Sequence, residues 1–507
     1  MSGQASVAFA SGAALSANSF VADGTVGSAA GLVISGALSL DAAKFARAKG
    51  VSLAGVDAGA GSTLYVTAPF FEGEGNYNCD FGTGLFVWTG AGNDSVFANG
   101  DNWAGGVAPG ANDVAEISSA ATITISSDTE VGGLFLGGGA SAVSFRANGS
   151  LAIGGPLYVG TNATLTLDVP ATVGGYCMVD DGGTITHTSI GASGTYKVDL
   201  SVAGDMYISA LGKINVSGRG FSNASGTATA GQVSVGASHG GCGSPLNGYS
   251  DIRRCYGSFV APTTYGSGGK SGNGSNGGGV VKLVVAGELY HEGAIYADGT
   301  TSGSYYSASG GSVWIRCGNL AGKGGIYARG GNGTSNDYSN LLAGGGRIAI
   351  EKTTAGDFSG YTGTVAAYGG YYIKTSGMTY APGGSAGSVA WIVPGVAPRI
   401  VLDNKGTQAS GLYGADLPVE ASRGGDSAKV LKTCDFVVKN SGKINLIADA
   451  TVNDVSLESG GRILLHGNTL YIRSHRHKNR RGWAGTVDDS EGGHIVWLPS
   501  GLAITVR

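Results

Sequence analysis

Charge is what this chain has least of. Charged residues are only 13% of the 507, about half the usual share. With 31 Lys and Arg against 35 Asp and Glu, the net charge is −4, which argues against nucleic acid as a main partner. No apolar run reaches the roughly 18 residues that a membrane-spanning helix needs. No Cys-x-x-Cys pair occurs among Cys79, Cys177, Cys242, Cys255, Cys317 and Cys434, so no zinc or redox motif is read and no cofactor is expected. The fragment SGGKSG (267–272) lacks the glycine spacing and following helix of a phosphate loop. The first twenty residues have neither a basic stretch nor an apolar core, so they are not an intact signal peptide. Either a leader has been removed or export takes another route.

Glycine is what the chain has most of, 95 residues. There is no strict three-residue period, which excludes collagen. Disorder is excluded too, because it requires low hydrophobicity and high net charge, whereas apolar residues make up 42% and mean hydropathy is +0.11. The glycines must serve recurring turns or close backbone approaches.

Self-similarity locates them. Residues 196–220, 281–300 and 312–333 each carry an alternating apolar strand, a glycine, and a second short strand ending in a glycine turn. Ile214, Ile295 and Ile326 take equivalent places, with Gly218, Gly299 and Gly330 following, and residues 346–370 repeat the scheme with Val365 in the Ile position. Period-two alternation with β-branched residues predicts short strands. One strand pair per repeat, without a hairpin dipeptide, predicts an all-β, elongated parallel β-helix (β-solenoid) with glycine-rich loops, whose inward residues form apolar ladders. Residues 42–49 read either as a short helix or as a longer coil edge. Five regions are expected: an N-terminal β region (1–80), a Trp/Asn-Trp/Pro motif junction (81–118), short coils (119–195), a glycine-rich core (196–395) and a C-terminal β region (396–507).

Within residues 86–117, Trp88, Gly90, Asn102, Trp103, Pro109 and Asp113 match a W-x-G…NW…G-x-x-P…D pattern. The stretch resembles an element of bacterial surface proteins that carry autotransporter-associated β-repeats. Residues 238–350 resemble glycine-rich modules of large exported proteins of planctomycete and verrucomicrobial type. The resemblance implies a secreted repeat protein and no assigned activity. The terminal strands of a membrane barrel are not found, so self-translocation is not implied.

Few residues suggest chemistry. Asp180–Asp181, and Asp488–Asp489 with Glu491 and His494, are the carboxylate clusters that a glycosidase or lyase would need. Both sit beside glycine, where Asp serves turns, so no catalytic residue is assigned. The run 474–483 concentrates charge. His475 and His477 alternate onto one strand face, but no third ligand is at hand and no metal site is read. Arg476, Lys478, Arg480 and Arg481 form a candidate contact for sulfated or uronic glycans. Cys242 and Cys255 bracket one loop and are the pair placed for a disulfide, while the other cysteines read equally as core thiols. Tyr305–Tyr306, Tyr338, Tyr368, Tyr371–Tyr372 and Tyr380 read as ladder rings or as sugar-stacking surfaces.

The expected function is therefore a non-enzymatic, extracellular or cell-surface structural or adhesive protein of a bacterium. Its expected partner is a second copy, paired head to tail through exposed strand edges into a filament. A glycan-binding module for cell-wall or host glycans is the alternative, and a polysaccharide lyase or hydrolase the third.

Overall fold

The computed structural model describes residues 85–228, 236–244, 254–269, 275–301, 307–333, 342–371, 383–406 and 413–499. For the backbone alone it also describes strands Ala5–Ala8, Ala13–Asp23, Leu32–Asp57, Leu64–Glu72 and Cys79–Asp80. The protein is almost all β, 39% strand and 4% helix, as the alternation requires. Residues 42–49 fall inside the extended segment Leu32–Asp57, which pairs in parallel with Ala13–Asp23 and Leu64–Glu72. Among the described residues no helix is long and apolar enough to cross a membrane. The chain divides into two units. One comprises Met1–Thr164, Ala171–Gly183 and Val202–Tyr207, and the other comprises Leu165–Pro170, Thr184–Ser201 and Ile208–Arg507.

In the first unit the chain returns repeatedly to the same parallel ladders. Val114–Ile117, Gly133–Leu136, Leu157–Val159 and Cys177–Val179 pair in succession, with Leu134 opposite both Ala115 and Leu157, and Leu157 opposite Cys177. A second ladder joins Thr129–Val131, Leu151–Ile153 and Ala171–Val173, and a third joins Ala121–Ile125 to Val143–Ala147. Alternate residues of Val143–Ala147 are buried, so each return adds one rung to a shared apolar interior. The tryptophan motif is a small aromatic core on this unit. Trp103 meets Trp88 and Phe97 edge-on at 5.2 and 5.0 Å, and Phe97 meets Phe145 at 5.7 Å. Trp103 Nε1 donates to the Phe97 carbonyl at 2.7 Å, and the Asn102 amide donates to Asp94 at 2.6 Å. The motif residues thus hold each other and close the loop over the strands.

In the second unit Ile185, Ile214, Ile295, Ile326 and Val365 stand in register across five parallel strands. The glycines that follow them stack as well. Gly218 donates to Asp298 O, Gly299 to Arg329 O and Gly330 to Tyr368 O. The equivalence seen in the sequence is a spatial one.

Next to this ladder lies a core of a different kind. The tripeptides 277–279, 309–311 and 344–346 are buried and belong to no strand. In each, three successive amides donate to three different chain segments. Gly277, Gly278 and Gly279 reach Phe221, Ser309 and Val216; Ser309, Gly310 and Gly311 reach Ser267, Gly344 and Ala297; Gly344, Gly345 and Gly346 reach Ala237, Ser385 and Ala328. Successive amides thus turn to different neighbours. Here neighbouring segments take the place of water and satisfy each buried amide. A Cβ built on Gly345 or Gly310 would lie well under 3.0 Å from the carbonyl oxygens of Ala367 and Ala328. These glycines therefore serve close backbone approach, not turns.

The parallel order breaks once among the described strand pairs. Ser388–Ile392 pairs antiparallel with Arg399–Asp403, Trp391 opposite Arg399. Beyond the reversal three parallel ladders resume. Arg399–Asp403 leads to Asp435–Lys439 and Asp454–Leu457. Ala415–Leu417 leads to Lys443–Leu446, Arg462–Leu464 and Thr486–Asp488. Ala450–Val452 leads to Thr469–Ile472 and His494–Trp497. Phe436, Val438, Ile444, Ile463 and Leu470 fill the interior between them.

Substituting Gly345→Ala should cost at least about 3 kcal/mol, the upper range of overpacking penalties. Gly395→Ala, at φ +76° with open space around it, should cost about 1 kcal/mol for its left-handed backbone. Urea midpoints of the two variants compare them directly.

Three histidines are locked into this interior. His239 bonds Gly310 O and Thr264 Oγ1 through its two nitrogens at 2.6 and 2.8 Å, while His187 bonds Thr188 O at 2.7 Å and His291 bonds Gly325 O at 3.1 Å. Burial, the largest cause in each case, holds their pKa values at about 4 for His187, 3 for His239 and 4 for His291. The unfolded chain protonates these rings below about pH 6.5. Between that pH and 3–4 the unfolded state binds more protons, so stability is complete above pH 6.5 and falls on acidification. The slope is up to about 1.4 kcal/mol per pH unit per histidine. Urea titrations at pH 7 and pH 4.5 should show this loss, and His239→Gln should reduce the difference between the two pH values.

Candidate functional site

The basic run at 474–483 is largely exposed, and two of its four Lys and Arg side chains are ion-paired among the described residues. Arg476 pairs with Asp454 at 3.4 Å and Asp435 at 3.8 Å, and Arg480 with Asp489 at 3.7 Å. His477 bonds Asp454 at 3.1 Å, while His475 bonds the Leu498 carbonyl at 2.7 Å. The two histidines serve different partners and do not converge. Lys478, Arg480 and Arg481 are exposed, and Lys478 to Arg480 form a 3-10 turn with Asn479 and Arg480 at positive φ. The loop is thus tied down by its own carboxylates.

The carboxylate clusters also have structural duties. Asp180 accepts from Tyr158 Oη at 2.8 Å and from the Asp181 amide. Asp488 accepts from the amide and hydroxyl of Ser490, which lower its pKa. Asp489 faces Arg480, and Glu491 faces His466 at 3.2 Å. The second cluster shares one turn but has divided partners. Of the tyrosines, 305, 306, 338, 372 and 380 lie outside the described residues, whereas the Tyr368 and Tyr371 rings lie 6.1 Å apart.

A site not anticipated from the sequence lies where the chain reverses. The ladder through Ile214 and Ile326 ends at Thr364–Ala366, and that terminal strand is partly exposed. The antiparallel turn carries Arg399–Asp403 alongside it. Between them opens a cleft of about 790 Å³, whose walls include Tyr327, Arg329, Tyr368, Trp391, Arg399, Asp403, Lys405, Lys439 and Asn440.

Each wall residue has a definite support. Tyr327 stacks on Tyr296 at 5.3 Å with planes 15° apart, the ladder packing expected for in-register rings. The Arg329 guanidinium lies 4.3 Å from the Tyr327 ring centre and 5.9 Å from that of Tyr368, and Lys405 Nζ lies 5.3 Å from Tyr368. Trp391 is braced edge-on by Phe358 at 4.8 Å. Arg329 is clamped to Asp298 through Nε and Nη2. Burial opposes its charge, but the Asp298 hydrogen bonds and charge outweigh burial and push its pKa up. Lys439 and Asp403, opposite each other in register, are 3.6 Å apart. Among the described residues Arg399 and Lys405 make no ion pair. Four cations therefore line the cleft with one carboxylate, against a chain whose net charge is negative.

No protein-family model, curated protein or solved structure is similar to this chain. Its chemistry is therefore read from the cleft alone. A cleft of a few hundred Å³ with aromatic walls and a few directed polar groups is the usual form of a ligand site. The signal available in the sequence was Tyr368, already noted as an aromatic at a loop edge. Arg399, Lys405 and Lys439 carry no motif and meet only because the strand direction reverses.

Because Asp298 is mostly buried, Arg329→Ala should destabilise the fold by about 1–3 kcal/mol, discounted for the partial exposure of the pair. Lys405→Ala, at an exposed position, should stay within about 0.5 kcal/mol. Denaturant midpoints separate the clamped cation from the exposed one.

Proposed function

We propose that this chain is an extracellular bacterial surface protein, a β-solenoid that adheres by binding an acidic glycan in the cleft at its strand reversal. The solenoid reading is supported by in-register parallel partners that recur with each return of the chain, such as Leu134, Leu157 and Cys177. The surface location is supported by the tryptophan motif and the glycine-rich repeats, which resemble exported bacterial proteins.

The observation that carries the ligand class is the wall composition. Tyr327, Tyr368 and Trp391 offer apolar ring surface for sugar C–H faces. Arg399 and Lys405, which make no ion pair among the described residues, offer positive charge for carboxylate or sulfate groups. Asp403 alone supplies a carboxylate, and it faces Lys439. Glycoside hydrolysis by the common mechanism needs two carboxyl groups flanking one bond, so the cleft favours holding a glycan over cleaving it.

Calorimetric titration with uronic and sulfated oligosaccharides, and with neutral ones of equal length, tests the reading. Acidic oligosaccharides should bind, more weakly at higher salt. The double variant Arg399→Ala/Lys405→Ala, and separately Tyr368→Ala, should each weaken binding tenfold or more. Arg480→Ala and Arg481→Ala in the basic loop should leave it unchanged. Equal affinity for neutral sugars, or loss confined to the loop variants, would overturn the cleft assignment. Light scattering on the same samples bears on the head-to-tail filament: a strict monomer at high concentration removes it and leaves cleft binding intact.

A further inference from the structure

Away from the cleft, the two sulfurs of the expected disulfide pair are not bonded to each other. Cys242 and Cys255 are fully buried, with their sulfurs 3.4 Å apart, well beyond the roughly 2.05 Å of a disulfide. A third group shares the space. Asp416, also fully buried, places Oδ1 4.0 Å from Cys242 Sγ, and its Oδ2 accepts from the Cys255 amide at 2.8 Å. The two sulfurs and a carboxylate oxygen all lie within 4.8 Å of one another. Around a tetrahedral zinc-type ion, with metal–sulfur bonds of about 2.3 Å, two thiolates sit roughly 3.8 Å apart. At 3.4 Å the two sulfurs stand slightly inside that spacing before any ion enters.

A second observation points the same way. The Asn445 amide nitrogen donates to Asp416 Oδ1 at 2.6 Å, while Asn445 Oδ1, in a residue only 1% exposed, has no hydrogen-bond partner among the described residues. Leaving such an oxygen unsatisfied costs about 1–3 kcal/mol. A half-turn of the amide exchanges its nitrogen and oxygen and presents the oxygen beside the carboxylate, an arrangement that only a cation makes favourable. Charge balances as well. Two thiolates, one carboxylate and a divalent ion sum to −1, and Arg254 stands 3.8 Å from Asp416 Oδ1.

We propose that Cys242, Cys255 and Asp416, with the Asn445 side-chain oxygen as fourth donor, form a structural binding site for a thiophilic divalent cation of the zinc class. Binding releases the two thiol protons and leaves no open coordination position, so the ion staples segments far apart in the chain and does no catalysis. The softness of two sulfurs selects zinc-type ions over magnesium or calcium.

Metal analysis of the full chain, purified without chelator from zinc-supplemented culture, should give one zinc per chain. A chelator should remove it and lower the melting temperature. Refilling with Co²⁺ should produce thiolate-to-cobalt charge-transfer absorption with the visible bands of a tetrahedral site. Cys255→Ser and Asp416→Asn should each weaken metal binding at least tenfold, whereas Cys434→Ser, a buried thiol elsewhere, should retain full occupancy. If the cluster variants fail to fold, the cobalt spectrum of the unaltered chain still decides. A chain without stoichiometric metal, whether its two thiols titrate as free or its mass is two hydrogens lighter from a Cys242–Cys255 disulfide, overturns the proposal.

Discussion

Two polypeptide backbones can approach only as closely as their side chains allow, and in the tripeptides between residues 277 and 346 that limit is set by a hydrogen atom on Cα. The second unit depends on this. Gly278, Gly310 and Gly345 each donate to the next glycine-rich segment, while the residues on either side bind other neighbours. The result is a lattice of backbone joined to several neighbouring segments, with little side-chain surface to bury. Hydrophobic burial, the dominant favourable term in most cores, is confined to adjoining ladders such as Ile214–Ile295–Ile326. Hydrogen bonding and close contact must hold the remainder.

That lattice also fixes the positions of the few functional groups. Arg347 is completely buried in it, donating to the Tyr256 carbonyl and Ser388 Oγ, with its guanidinium 4.2 Å from the Phe259 ring centre. His239 stacks on Tyr256 at 4.5 Å. A backbone-packed interior is rich in oriented carbonyls, and these solvate a cation or an imidazole where an apolar core would not. The same segments deliver Cys242 to Asp416 on one side and end the isoleucine ladder at the cleft on the other.

Much of this was legible in the sequence, and the parts that were not share a cause. The Ile214, Ile295, Ile326 and Val365 register could be read because period-two alternation and a trailing glycine recur in each copy. The tryptophan motif could be seen as a unit because its members are close in the chain. The Cys242–Cys255 pairing was visible for the same reason, but Asp416, 161 residues from Cys255, was not. The strand reversal at Trp391 and Arg399 has no counterpart among the other described strand pairs, so periodicity could not announce it, and the cleft it creates remained hidden. The glycine-packed core was half visible. Composition demanded close approaches or turns, and only the directions of successive amides distinguish them.

The glycine lattice finally bears on how such a protein can change through generations. Any single-base change that replaces one of its glycines adds a side chain where none can be housed. The interior is therefore almost closed to drift, and heritable novelty is channelled to walls and edges, including the exposed positions that line the cleft. A lineage could alter this surface without disturbing the scaffold that presents it.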